Sequence, residues 1–309
     1  MKNLKRKIKR LTLGTKWKHL DTLHRDFQLK RREYGHETFW KGQSAGIVRS
    51  IKPLEKTVSG VCFIVATGPS LQNIDLRFIK EFDTISLNGA IRKFNEAKFS
   101  PTHAVAVDRR IFERCPEFIT ESIQSGANCF FSPVGISRIC EYQLGELDRC
   151  YLLESITKKY DRPRIPTHEF YEACAANPKI YIPDNPEERS GGTIGFSNDA
   201  SAGFFSFKTV AGWAVQLAVW MGYRDIFIIG MDLGGTGMKH FYENEQNKAP
   251  DFLKDYDPYI KVSFEQVRRA GNKLGFSVYN LSDKSTLPND IIPKLTLDNA
   301  LAIAKRGKK

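Results

Sequence analysis

The chain has 309 residues, 41% of them hydrophobic, which suffices for one large α/β domain or two small ones with a sizeable core. It has no run of about eighteen apolar residues, and its N-terminus is too polar for a signal-peptide core, so a cytoplasmic protein without a transmembrane span is expected. The six cysteines (Cys62, Cys115, Cys129, Cys140, Cys150, Cys174) lack CxxC spacing, which favours reduced, buried thiols over disulfides or zinc.

The formal net charge of +12 sits at the ends of the chain. Residues 1 to 32 hold twelve Lys or Arg against Asp21 and Asp26, and Lys305, Arg306, Lys308 and Lys309 close the tail. The body between them is close to neutral, which argues against a broad nucleic-acid groove and for a basic appendage. Within that appendage Leu4, Ile8 and Leu11, then Trp17, Leu20, Leu23 and Phe27, recur at helical spacing among the charges, broken at Gly14. A basic amphipathic helix of this kind lies on an anionic membrane surface, so residues 1 to 32 are expected to bind one. Residues 1–56 are read as this helical extension and a connector, 57–300 as the folded body, and 301–309 as a basic tail.

In the body, short apolar runs predict strands at Val61 to Ala66, Thr84 to Leu87, His103 to Val107, Cys129 to Phe131, Tyr151 to Leu153, Ile226 to Ile229 and Ser277 to Leu281. Helical patterns fall between them at Asp75 to Glu81, Phe112 to Ser125, Thr209 to Met221 and Ser263 to Leu274. Such alternation predicts an α/β fold with a Rossmann-like, doubly wound, mostly parallel sheet. Residues 155 to 200, rich in proline, read as a loop or lid insertion.

Polar residues at the strand ends form a candidate constellation, because ligands of open α/β sheets sit at that edge. Thr67, Gly68, Pro69 and Ser70 follow the first strand, as a turn whose N–H groups can approach a phosphate. Asn88 follows the second strand with a donor and an acceptor for a base or ribose. Asp108, Arg109 and Arg110 follow the third, and Gly230 and Asp232 the late one. GxGxxG and GxxxxGK[ST] are both absent, which removes support for nicotinamide and ATP readings.

The segments VATGPSL, SLNGAI, TVAGWAVQLAVWMGY and RDIFIIGMDL together resemble CMP-sugar-dependent glycosyltransferases, in particular the bacterial sialyltransferases of the Campylobacter type. IGFSNDASAGFFSFKT, GMDL, HFYENE and YNLSDKSTLPNDIIPKL, in that order, resemble more closely the lipopolysaccharide core Kdo transferases of the WaaZ type. The resemblance spans residues 60 to 300 or so. It implies a GT-A-like, single nucleotide-binding domain that transfers 3-deoxy-D-manno-octulosonic acid (Kdo) from CMP-Kdo to the inner core of lipid A-linked lipopolysaccharide, at the cytoplasmic face of the inner membrane. Its partners would be the CMP-sugar, a glycolipid acceptor and the membrane surface, with no nucleic acid. A sialyl- or other CMP-nonulosonate transferase and a noncatalytic nucleotide-sugar or membrane-surface binding protein are the alternatives.

Carried over by position, Thr67, Gly68, Ser70 and Asn88 would hold CMP, while Gly203 and Thr209 would contact the donor sugar or cytidine. The sialyltransferases place two tyrosines after the late turn and a histidine before the last helix. Here Gly234 stands near the first tyrosine and His240 or Tyr242 near the second, and no histidine follows His240. Chemistry then offers His240, Tyr242 or Lys208 for the leaving phosphate and Asp199, Asp232 or Asp257 as base. Arg109, Arg110 and Lys208 are candidates to face the sugar carboxylate. The leaving group is a nucleoside monophosphate, so no metal or other cofactor is expected.

Overall fold

The computed structural model describes residues 2–184, 193–234 and 255–306. It opens with α1 (Lys2–Trp17), kinked at Gly14, and a short 3-10 turn at Lys18–Leu20. Three strands follow: β1 (Phe27–Arg31), β2 (Gly35–Trp40) and β3 (Gln43–Arg49). The body then alternates β4 (Val61–Val65), β5 (Asp83–Leu87), α2 (Ile91–Glu96), β6 (His103–Ala106), α3 (Arg109–Arg114), α4 (Pro116–Gln124), β7 (Asn128–Phe131), α5 (Pro133–Tyr142) and β8 (Cys150–Leu152). After α6 (Thr167–Ala175), β9 (Ile180–Tyr181) and β10 (Phe196–Ser197) come α7 (Val210–Met221), β11 (Asp225–Ile229), α8 (Val262–Leu274), β12 (Ser277–Asn280) and α9 (Leu297–Arg306).

Ten strands form one sheet in the order β1-β2-β3-β8-β7-β6-β5-β4-β11-β12. From β3 to β12 every pairing is parallel, and β2 alone runs against the rest. Each central strand is buried on both faces, and its side chains alternate between two cores as the pleat dictates. Cys62 and Ile64 of β4 point with Ile226 and Ile228 of β11 into the core that holds α7 and α8. Val61, Phe63 and Val65 point with Phe227 and Ile229 into the opposite core, which holds α2 and α9. The expected doubly wound sheet is therefore present, with all seven of the anticipated strands within it. All six cysteines are free and buried.

Four local expectations differ from the structure. Phe27 to Arg49, read as the end of a helix and a connector, forms the three-stranded antiparallel edge of the sheet, with β3 pairing onto β8. Leu23 and Phe27 stand four apart and fit a helix, but Phe27 and Leu29 are buried while Gln28 and Lys30 are exposed, which is strand periodicity. Lys41 and Gly42, both at positive φ, make the two-residue turn joining β2 to β3. The helix expected from Phe112 to Ser125 splits at Cys115, ahead of Pro116, whose ring cannot continue the preceding turn. The Asp75 to Glu81 helix shortens to a 3-10 turn, Leu76–Ile79, and the 155 to 200 segment contains α6 and the β9–β10 pair. Among the described residues no helix is long and apolar enough to cross a membrane.

Candidate active site

The chain leaves β4 toward β5 on one side and returns to β11 on the other, so the turns after β4 and β11 diverge at a switch point of the sheet. A cleft of about 620 Å³ opens along this edge. It runs from Gly230–Leu233 across Thr67–Gly68, Asn88, Asp108 and Ser132 to Ser155.

Its β4–β11 wall is built by hydrogen bonds between two distant turns. The N–H of Gly68 donates to Gly230 O at 2.8 Å, and the N–H of Ser70 donates to Asp232 Oδ2 at 2.8 Å. The Asp232 carbonyl accepts from Thr286 N at 3.0 Å, and Asn280 holds the Met231 carbonyl at 3.1 Å. Gly68 has no alternative here, since a Cβ would collide with the Asp232 carboxylate and the Gly230 carbonyl. Gly230 itself sits at φ +74, a left-handed conformation that suits glycine. Asp232 is 3% exposed, and its Oδ1 has no partner among the described residues. Asn88 leaves β5 at φ 50, and its Oδ1 is likewise buried and unpartnered. Both are acceptors on the cleft wall, suited to ribose hydroxyls or a base amino group.

The opposite wall is cationic. Thr209 caps α7 by accepting from Ala211 N at 3.4 Å, which brings the helix N-terminus to the cleft. Phe207 and Lys208 both hold positive φ just before it, a costly backbone that surrounding contacts must impose. Lys208 Nζ lies 4.7 Å from the centre of the Tyr259 ring. Lys158, from the loop after β8, faces the same space; burial lowers its pKa, and the nearby positive charges of Arg164 and Lys208 lower it further. Such mutual repulsion is relieved by an anion.

The loop carrying Lys158 and Lys159 is tied to the N-terminal strands. Arg31 bridges Glu154 Oε2 and Asp161 Oδ1, each at 2.8 Å. The Asp161 carboxyl, hydrogen-bonded to Arg31, is held below the usual carboxylate range. Tyr160 OH accepts from Leu29 N at 3.1 Å.

Of the residues expected at the site, Thr67, Gly68, Asn88, Asp108, Lys208, Thr209, Gly230 and Asp232 line the cleft, as does Arg110. Pro69 and Ser70 do not line it; Pro69 opens the 3-10 turn behind the wall, and Ser70 braces Asp232. Arg109 is turned aside into an i,i+4 pair with Glu113 at 2.6 Å. Asp108 caps α3 and is paired with Arg110, whose Nε donates to its Oδ2 at 2.9 Å. Gly203 packs on Ser155 and Ile156 at φ +95, outside the cleft lining. Asp199, a base candidate, is a turn residue. Burial pushes its pKa up, but hydrogen bonds from Ser201, Asn177 and the Ala202 and Ser201 backbone outweigh this and hold it below the ordinary value. Asp257 is exposed and away from the cleft, whereas Asp255 lines it. His240 and Tyr242 lie outside the described residues.

Ser132, directly after β7, and Ser155, three residues past the end of β8, line the cleft. They extend the strand-end pattern that marked Thr67 and Asn88, and the same rule applied to every strand finds them. His19, Leu20 and Leu23 also line it, from the far end of the chain, and no sequence signal points to them. Among the described residues no group of three His, Cys, Asp or Glu is placed to hold a metal.

Comparison with known proteins gives this cleft its context. Residues 48–298 match the family described as 3-deoxy-D-manno-octulosonic acid transferase WaaZ. A probable 3-deoxy-manno-octulosonic acid transferase of Escherichia coli K12 is 25% identical over 253 residues, covering 81% of this chain and 87% of that protein. Its namesake from Salmonella typhimurium LT2 is 24% identical over 250 residues, covering 79% and 89%. Two solved structures are similar at lower identity. The MAf glycosyltransferase from Magnetospirillum magneticum AMB-1 is 15% identical with a TM-score of 0.42, covering 82% of this chain and 38% of that one. The sialyltransferase CST-II, in complex with a trisaccharide acceptor and CMP, is 13% identical with a TM-score of 0.40, covering 75% and 84%. With the family match running through β4, α7, β11 and β12, the chain belongs to the WaaZ family of 3-deoxy-D-manno-octulosonic acid transferases.

Proposed function

We propose that the protein transfers Kdo from CMP-Kdo to the Kdo and inner-core region of lipid A-linked lipopolysaccharide. The observation that carries this reading is the Asp232 carboxylate at the switch point, with one oxygen fixed by Ser70 N and the other open, in a chain of this family. CMP would lie over Gly68, Asn88 and Asp232, where unpartnered acceptors meet its hydroxyl and amino groups. Its phosphate and the sugar carboxylate would face Lys208 and the N-terminus of α7.

In the reaction the bond from the anomeric carbon to the phosphate oxygen breaks, and its electron pair leaves with CMP. An acceptor hydroxyl forms the new bond to that carbon and loses its proton to a base. The cationic wall stabilises the charge that grows on the departing phosphate. Of the base candidates Asp199, Asp232 and Asp257, Asp232 is the one that lines the cleft.

Membrane recruitment belongs to the same proposal. Helix α1 carries six Lys or Arg between Lys2 and Arg10, and Leu11 is 81% exposed on it. Such a helix would hold the enzyme on the anionic cytoplasmic leaflet where its glycolipid acceptor is embedded.

The test is incubation of the purified protein with CMP-Kdo or CMP-sialic acid and a Kdo-containing lipid A acceptor. Release of CMP with a Kdo mass increment on the acceptor supports the proposal. A sialic acid increment assigns the alternative donor, and absence of both overturns the enzymatic reading.

A further inference from the structure

The cleft is longer than its donor half. Gly68 follows β4 and Ser155 follows β8, four strand positions away in the sheet, a separation of about 19 Å. The β8 end is walled by the Ser155–Tyr160 loop and by His19, Leu20 and Leu23.

This end is assembled by the N-terminal segment. The Arg164 N–H donates to Lys16 O at 2.7 Å, and His19 Nε2 lies 2.8 Å from the Lys159 carbonyl oxygen. A carbonyl only accepts, so Nε2 carries the proton and donates. In that tautomer Nδ1 holds a lone pair, and it is buried with no partner among the described residues. Lys158, the neighbour of Lys159, lines the same end; burial and the charges of Arg164 and Lys208 lower its pKa, against a smaller opposing pull from Asp21. An unpartnered acceptor residue and a partly desolvated cation thus line one apolar-edged space, rimmed by Leu20 and Leu23. Residues 19 to 23 lie outside the 48–298 span of the family match.

From this we infer that the β8 end of the cleft is the acceptor subsite, where His19 Nδ1 takes a hydrogen bond from a sugar hydroxyl and Lys158 pairs with an anionic group of the same glycan. The inference rests on the transferase reading above. It makes the N-terminal segment a wall of the active site and a determinant of which acceptor is used.

The experiment uses full-length protein and measures transfer at varied acceptor and at varied donor, with direct calorimetric binding of CMP. His19→Gln is the informative variant, because its amide retains a donor near the Nε2 position while losing the Nδ1 acceptor. The expected result is an acceptor KM raised about tenfold, with donor KM, CMP affinity and melting temperature at wild-type values. A wild-type acceptor KM in His19→Gln means that the histidine only braces Lys159, and overturns the inference. Lys158→Met is run on intact and on dephosphorylated acceptor. A penalty on both forms assigns the anion to a carboxylate, a penalty confined to the intact form assigns it to phosphate, and no penalty on either overturns the role of Lys158. Wild-type protein that binds CMP yet transfers nothing overturns the functional reading itself, and is told apart from failure of this inference because the variants are then never distinguished from it.

Discussion

The backbone N–H of Ser70 donates to Asp232 Oδ2 at 2.8 Å across 162 residues of sequence. This bond fixes one carboxylate oxygen against the β4 turn and leaves the other buried without a partner among the described residues. Asp232→Asn keeps an acceptor for Ser70 and removes the charge. Transfer is expected to fall about 100-fold or more, with stability changed by less than about 1 kcal/mol. Asp232→Ala additionally strands the Ser70 N–H and costs about 1 to 3 kcal/mol. CMP release assays and urea unfolding read the two effects separately. Wild-type turnover in the Asn variant would reduce Asp232 to a turn residue.

Gly68→Ala tests the same wall from the other side. Its methyl group meets the Asp232 carboxylate and the Gly230 carbonyl, so one of them must shift. Overpacking of this kind costs about 1 to 3 kcal/mol and displaces the carboxylate, so CMP affinity is expected to drop at least about tenfold. Calorimetric titration with CMP checks it, and unaltered affinity would place the nucleotide elsewhere.

His103, 4% exposed at the start of β6, is kept neutral by burial, which lowers its pKa to about 4. The unfolded chain protonates it nearer 6.5, so the folded state binds fewer protons on the acid side. The contribution is complete above about pH 6.5 and is lost as pH falls toward 4, by roughly 3 kcal/mol over that window. Urea unfolding of wild type and His103→Gln at pH 7.5 and 4.5 should show a shallower acid loss in the variant. Parallel profiles would exclude His103 as the acid-sensitive group.

Arg31 couples the N-terminal strands to the loop that delivers Lys158 and Lys159. Arg31→Ala leaves Glu154, whose side chain is 9% exposed, without its cation, a loss of the kind that is costly when one member of a buried pair is removed. The expected outcome is a lower melting temperature together with faster proteolysis between residues 154 and 164. Unchanged proteolysis would show that the loop holds its place without this bridge.

Charge removal in α1 tests recruitment. Replacing the six basic residues from Lys2 to Arg10 with Gln should weaken binding to anionic vesicles, at about 1 kcal/mol per charge, and abolish its salt dependence. Deleting residues 1 to 32 is a poorer probe, because Leu23, Phe27 and Leu29 belong to the core. Salt-independent sedimentation by the wild type would assign the basic helix another task.

The strand runs, the largely apolar α7 and the polar residues closing β4, β5, β6 and β11 were legible because hydrophobic periodicity and turn chemistry are local. They sufficed to mark Thr67, Gly68, Asn88, Gly230 and Asp232 as one constellation before any coordinates. The edge strands were not legible, since a four-residue spacing such as Leu23 to Phe27 satisfies a helix and an alternating strand alike. Nor could sequence separate Asp232 from Asp199: both follow apolar runs at turns, and only the folded chain shows that Asp199 has spent its oxygens on Ser201 and Asn177.

By itself the sequence determined the doubly wound sheet, the polar turns after β4, β5 and β11 and the basic N-terminal helix, because each depends on the spacing of residues within a dozen or so positions. The tertiary structure decided which side chains share the cleft. It paired Ser70 with Asp232, turned Arg109 away toward Glu113, and carried His19 to the loop after β8. Those choices are set by packing and hydrogen bonding between segments far apart in the chain, where local pattern carries no information.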